Sequence, residues 1–119
     1  MIGEARRAAC VAIGDELLAG DYADSNSGVI AQRLAALGMT VDKFVVLGDD
    51  KQALERAFYE LCREYQVVVA SGGIGPTLDD VTREAAAGAA GVPLVRDPGT
   101  LEWLHQLYAA RRREMPASN

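Results

Sequence analysis

Ala8-Ala-Cys-Val-Ala-Ile13 is a run of apolar residues with no polar interruption, stopped by Gly14. A strand with one wet face alternates apolar and polar side chains, whereas a strand apolar at every position has to be covered on both faces. The chain must therefore place helices on two sides of this segment. Suitable helices follow it. Ile30, Leu34 and Leu37 fall at i, i+4 and i+7 before Gly38, with Ser25 or Asn26 as the expected cap. Val41 to Leu47 predicts a second strand, ended by Gly48-Asp49-Asp50, with Asp50 as a candidate cap for the next helix. In that helix Leu54, Phe58, Leu61 and Tyr65 repeat at helical spacing, and Val67-Val68-Val69-Ala70 predicts a third strand. The small residues Ala85 to Ala90 suit a helix packed close against a sheet. Val92 to Val95 predicts a brief extended segment. Asp97-Pro98 starts a last helix with a Leu101, Leu104 and Tyr108 stripe, its C-terminus complemented by Arg111 to Arg113. Strand and helix alternate throughout, so the expected fold is a three-layer α/β/α domain with a mainly parallel sheet, one domain over residues 1–119.

The third strand runs directly into Ser71-Gly72-Gly73-Ile74-Gly75-Pro76-Thr77-Leu78-Asp79-Asp80-Val81-Thr82. A glycine turn that opens a helix leaves backbone N–H groups bare, and such groups bind phosphate or another anion. Two adjacent carboxylates would repel that phosphate by roughly 4 kcal/mol per close pair at an effective dielectric near 20. A bridging divalent cation reverses the sign. The motif is neither a P-loop, since Gly-Lys-Ser/Thr is absent, nor a full GxGxxG, since Leu78 stands at the final position. The plainer account is an ordinary strand-to-helix turn, with Thr77 and Asp80 as a capping-box-like pair and the acids complementing a helix dipole. Asp15 and Glu16 follow the first strand and Asp49 the second, on the sheet edge where the glycine turn is expected, so both can serve a cation or ligand, or merely turn chemistry. His105 and Trp103 read as solvated or packed side chains.

Half of the 119 residues are hydrophobic, enough for a core, and the formal net charge is −5. Lys43 and Lys51 are the only lysines, so the balance argues against nucleic-acid or anionic-membrane binding and for a small ligand. Cys10 and Cys62 lack CxxC or Cys/His spacing and read as two buried reduced thiols of a cytoplasmic protein, with neither signal peptide nor transmembrane run in the sequence. A redox dinucleotide domain is a weaker option, because Gly14-Asp15-Glu16 replaces the glycine fingerprint after the first strand.

Together, Ala12-Ile-Gly14-Asp15-Glu16-Leu17-Leu18-Ala-Gly20, Asp24-Ser-Asn26, Leu34-Ala-Ala-Leu-Gly38, Gly48-Asp49-Asp50 and Gly72-Gly-Ile-Gly-Pro-Thr-Leu-Asp-Asp-Val-Thr82 resemble the molybdopterin-binding domain family. That family includes molybdopterin adenylyltransferases, the N-terminal domain of the competence/damage-inducible protein CinA and the domain joined to some FAD synthetases. The forms here look closest to the last two. The resemblance implies a pterin or adenine nucleotide bound at the C-terminal ends of the strands, with molybdopterin a candidate ligand. It implies that Asp80 and Asp49 are catalytic and, with Asp79 in support, hold Mg²⁺ or another divalent cation. Gly72, Gly73, Ile74, Gly75, Thr77, Asp15, Glu16 and Asn26 are the expected ligand- and phosphate-binding residues. CinA-like members imply hydrolysis of an ADP-ribose-type pyrophosphate. The alternatives are a non-catalytic pterin- or nucleotide-binding or assembly module, and an adenylyltransferase of molybdenum cofactor biosynthesis. The resemblance further implies a homo-oligomer, and one or two strands with a Pro-Gly-rich loop beyond Asn119, so the domain is expected to be C-terminally incomplete.

Overall fold

The computed structural model describes residues 6–117. In chain order its elements are β1 (Arg6–Ile13), α1 (Asp15–Leu18), α2 (Asn26–Ala36), β2 (Met39–Leu47), α3 (Lys51–Glu64), β3 (Val67–Ser71), α4 (Thr82–Ala90) and α5 (Pro98–Ala110). The sheet has the order β2-β1-β3 and both pairings are parallel. The apolar run is thus the central strand. Every residue from Ala8 to Ile13 is buried. On one face Ala9, Val11 and Ile13 meet Leu54, Phe58 and Leu61 of α3 and Ala85 of α4. On the other, Ala8 and Cys10 meet Leu34 of α2. These are the three layers expected from sequence. Leu54 is completely enclosed, and burying a leucine side chain contributes roughly 1.5–3 kcal/mol.

The outer strands are less covered. Phe44 of β2 remains 55% exposed, and β3 is half-buried along most of its length. Ala85 lies fully buried at the sheet, the close approach that the alanine-rich sequence of α4 permits. Asp50 caps α3 as expected, its side chain accepting from the Ala53 amide at 3.1 Å. Asp97 likewise caps α5, accepting from the Thr100 amide at 2.9 Å.

Several local expectations are corrected. Cys62 on α3 is exposed, while Cys10 is buried as expected. Glycine turn and helix are not contiguous: α4 begins only at Thr82, after an irregular loop over residues 72–81. Pro76 disfavours helical geometry at Gly75 before it, and Thr77 pairs with Asp80 inside the loop. Asp79 and Asp80 therefore lie ahead of α4 and do not form its first turn. Val92 to Val95 pairs with no strand among the described residues. The short helix α1 was not foreseen. At α2 neither Ser25 nor Asn26 supplies the capping side chain; Asp24 does, its carboxylate accepting from the Ser27 amide at 3.1 Å.

Candidate functional site

Because all three strands are parallel, they end together at Ile13, Leu47 and Ser71, the edge of an open α/β sheet where ligands bind. The Gly14 amide donates to the Leu47 carbonyl at 2.9 Å and ties the first two strand ends. Just beyond, Asp15 and Asp49 exchange hydrogen bonds. The Asp15 amide donates to Asp49 Oδ2 at 3.2 Å, and the Asp49 amide donates to Asp15 Oδ1 at 2.8 Å. Among the described residues nothing bonds the other oxygen of each carboxylate, Asp15 Oδ2 and Asp49 Oδ1.

The third strand end is pressed against the first. Gly72 has φ 96° and Gly73 φ 67°, the left-handed region that favours glycine. A Cβ on Gly72 would collide with the Ile13 carbonyl, and one on Gly73 with the Thr82 hydroxyl. That hydroxyl donates to the Gly72 carbonyl at 2.8 Å, and the Thr82 amide donates to the Gly73 carbonyl at 3.1 Å. The buried Thr82 thereby fastens the glycine turn to the start of α4.

Farther along, the Thr77 amide and hydroxyl donate to Asp80 Oδ2 at 3.0 and 2.6 Å, and the Asp80 amide returns a bond to the Thr77 carbonyl at 3.1 Å. Arg83 reaches the Gly75 carbonyl at 3.4 Å and puts a cation beside the loop. The amides of Ile74, Leu78 and Asp79 have no partner among the described residues, and the Ile74 and Leu78 side chains project into solvent. The loop thus leaves amide N–H groups unpartnered in an irregular turn instead of the helix mouth expected from sequence.

The Thr77 hydroxyl, followed by its amide, holds the Asp80 carboxyl below its ordinary value of 3.8. A depressed carboxyl stabilises the fold above its unfolded pKa and ceases to do so as pH falls through the lower folded value. The Asp80–Thr77 clasp is therefore expected to hold throughout the neutral range and to open only in acid, below the ordinary carboxyl value of 3.8. Amide exchange or NMR shifts of Thr77 titrating between pH 5 and 2 would report it, and Thr77→Ala should move the Asp80 titration upward.

Among the expected residues, then, Asp15 joins Asp49, Thr77 joins Asp80, and Gly72 and Gly73 join the end of β1. Glu16 sits over Gly14, in space a Cβ there would need. Asn26 is the first residue of α2 and Asp79 lies in the loop before α4; both are exposed, and neither side chain has a partner among the described residues. Among the described residues no three Asp, Glu, His or Cys side chains gather into a metal-holding group, so Asp49, Asp79 and Asp80 do not form one preassembled cage. Mg²⁺ usually takes one or two carboxylates and completes its shell with water and phosphate oxygens. The Asp15–Asp49 pair, with two unbonded oxygens, fits that donor set. Thr82, Arg83 and Glu84 were given no site role from sequence, although only Val81 separates them from the acidic pair. Glu84 Oε2 is a buried oxygen with no hydrogen-bond partner among the described residues.

A largely apolar hollow lies elsewhere. A groove of about 440 Å³ runs beside β3 between α3 and α4, lined by Phe58, Cys62, Val68, Ala70, Ala86 and Ala89 among others. This apolar lining offers little to a phosphate. No helix among the described residues is long and apolar enough to cross a membrane.

Comparison with known proteins agrees with this geometry. Residues 9–115 match the family described as "Probable molybdopterin binding domain". A CinA-like protein of Myxococcus xanthus is 49% identical over 98 residues, which span 82% of this chain and 23% of that protein. A CinA-like protein of Deinococcus deserti is 40% identical over 109 residues, 92% of this chain and 27% of the relative. The chain thus spans about a quarter of the length of these relatives. The crystal structure of CinA from Thermoplasma acidophilum, described as of unknown function, superposes with a TM-score of 0.84 at 29% identity, covering 95% of this chain and 66% of that one. With the strand order, the strand-end loops and the glycine motif all in place, the chain belongs to the molybdopterin-binding domain family, as a CinA-like member.

Proposed function

We propose that this domain binds a phosphorylated pterin or an adenine nucleotide at the strand ends and hydrolyses an ADP-ribose-type pyrophosphate in the presence of Mg²⁺. What supports the reading is one juxtaposition: the Asp15–Asp49 pair, with its unbonded oxygens, stands at the same sheet edge as a loop with unpartnered amides. In this proposal Asp49 and Asp15 hold the cation, which supplies charge neutralisation and an activated water when bound. The Ile74, Leu78 and Asp79 amides take phosphate oxygens, with Arg83 adding positive charge. The hydrogen bonds of Asp80 favour it as a positioning residue that keeps the loop open for phosphate, over the catalytic, metal-holding role implied by resemblance. Glu16 and Asn26 are left to contact the nucleoside or pterin end of the ligand.

The test is direct. Incubated with ADP-ribose and Mg²⁺, the 119-residue protein is expected to release AMP, and EDTA should stop the release. Calorimetric binding without turnover would limit the site to ligand capture. The absence of both would remove the proposal.

A further inference from the structure

The two bonds that Thr82 makes to the glycine turn also decide which way its peptide groups face. The Thr82 hydroxyl donates to the Gly72 carbonyl at 2.8 Å and the Thr82 amide to the Gly73 carbonyl at 3.1 Å, so two successive carbonyls face the first residue of α4. In a planar trans peptide the N–H of the next residue points opposite to the carbonyl, and both of these peptides are trans. The amides of Gly73 and Ile74 are therefore turned away from α4, and neither has a partner among the described residues. Successive N–H groups aimed to one side are what an anion requires of a main chain.

The peptide between Gly72 and Gly73 has glycine on both sides, at φ 96° and 67°, and with no Cβ on either residue its plane can turn over at little local steric cost. Turned over, it would present the Gly72 carbonyl oxygen where the Gly73 N–H now stands, and the negative end of a dipole would meet the phosphate. The Thr82 amide holds the following peptide and does not oppose this. Among the described residues the Thr82 hydroxyl is the group that holds the Gly72 carbonyl, and Thr82 is only 7% exposed, so water competes little for that bond. We propose that Thr82 is a positioning residue whose hydroxyl fixes the orientation of the Gly72–Gly73 peptide, so that the glycine turn shows N–H groups and not a carbonyl to a phosphate or pyrophosphate group. The proposal rests on the phosphate-binding role proposed for this loop and adds the group that sets its polarity. Thr82 itself does not touch the ligand. A ligand that binds one of two peptide orientations is weakened by the share of molecules held in the other.

Calorimetric titration with inorganic pyrophosphate and Mg²⁺, at a temperature where each protein is folded, reads the proposal. Thr82→Ala and Thr82→Ser both lose the methyl group and differ from each other only in the hydroxyl. Thr82→Ala should bind at least about threefold more weakly than the parent, the effect of one neutral hydrogen bond on the peptide equilibrium, and Thr82→Ser should stay within about twofold of it. Nitrogen-15 NMR gives a readout that a merely structural role would not move. The Gly73 and Ile74 amide signals of the parent should shift as pyrophosphate is added, and the Gly73 shift should shrink in Thr82→Ala. Equal affinity of Thr82→Ala and the parent overturns the proposal, even where Thr82→Ala melts lower. So does a Thr82→Ser protein as weak as Thr82→Ala, since the methyl group would then be responsible. A Gly73 amide that ignores pyrophosphate while other loop amides respond overturns it in the parent alone. A parent that binds no pyrophosphate removes the phosphate-binding role of the loop and this proposal with it, a result distinct from the other three.

Discussion

Gly72→Ala is expected to destabilise the domain by about 2–5 kcal/mol, the sum of a left-handed backbone penalty of about 1–2 kcal/mol and an overpacking strain of about 1–3 kcal/mol. The new Cβ would meet a main-chain oxygen: the Ile13 carbonyl at the end of the central strand. A flexible side chain could rotate away, but Ile13 is held in β1 between both neighbouring strands. The loop has to move instead, and with it the bonds that Thr82 makes to Gly72 and Gly73. Urea unfolding should show a midpoint far below that of the parent, a large share of the 5–15 kcal/mol that holds an ordinary domain together. Gly91→Ala is the matched control. Gly91 has φ 69° with open space where a Cβ would go, so its cost should stay near the backbone penalty alone, about 1 kcal/mol. Equal midpoints for the two variants would show that the approach of Gly72 to Ile13 does not matter.

The contrast between those glycines explains what the sequence could disclose. Ala8 to Ile13 is legible as a central strand because cover on both faces removes the alternation that an outer strand would keep. Leu54, Phe58 and Leu61 are legible because a helix repeats its core face every three or four residues, and Asp50 because a cap acts over three positions. Each is a local signal. The apolar run of β2 gave no sign that Phe44 would stay 55% exposed, because edge or centre is decided by strand order. Val92 to Val95 has the composition of a strand but finds none to pair with, and Val95 is left 81% exposed. The loop over residues 72–81 looked like a helix opening because glycine, Thr77 and Asp80 are also helix-start residues. Its actual path is set by Ile13 and Thr82. The Asp15–Asp49 exchange joins positions 34 apart in sequence. Resemblance could mark both residues, but not that each amide would serve the other's carboxylate.

That exchange makes Asp49→Asn the sharpest probe of the proposed chemistry. The amide side chain keeps a carbonyl oxygen able to accept from the Asp15 amide, so the geometry of the two strand ends should survive with a stability change of no more than about 1 kcal/mol. What disappears is a negative charge and an oxygen suited to a hard cation. Mg²⁺-dependent AMP release should therefore fall by at least about 100-fold, on the order of 3 kcal/mol of transition-state stabilisation. Asp49→Ala removes the accepting oxygen as well and should add a measurable loss of stability. Asp15→Asn, tested alone and with Asp49→Asn, completes a cycle. If the two carboxylates hold one cation, the double variant should be scarcely less active than either single one, because the cation is lost once and cannot be lost again. Independent roles would instead multiply the two losses. An Asp49→Asn protein within twofold of the parent would remove Asp49 from the reaction. A loss of activity that only follows the fall in melting temperature would make the pair a structural clasp between β1 and β2.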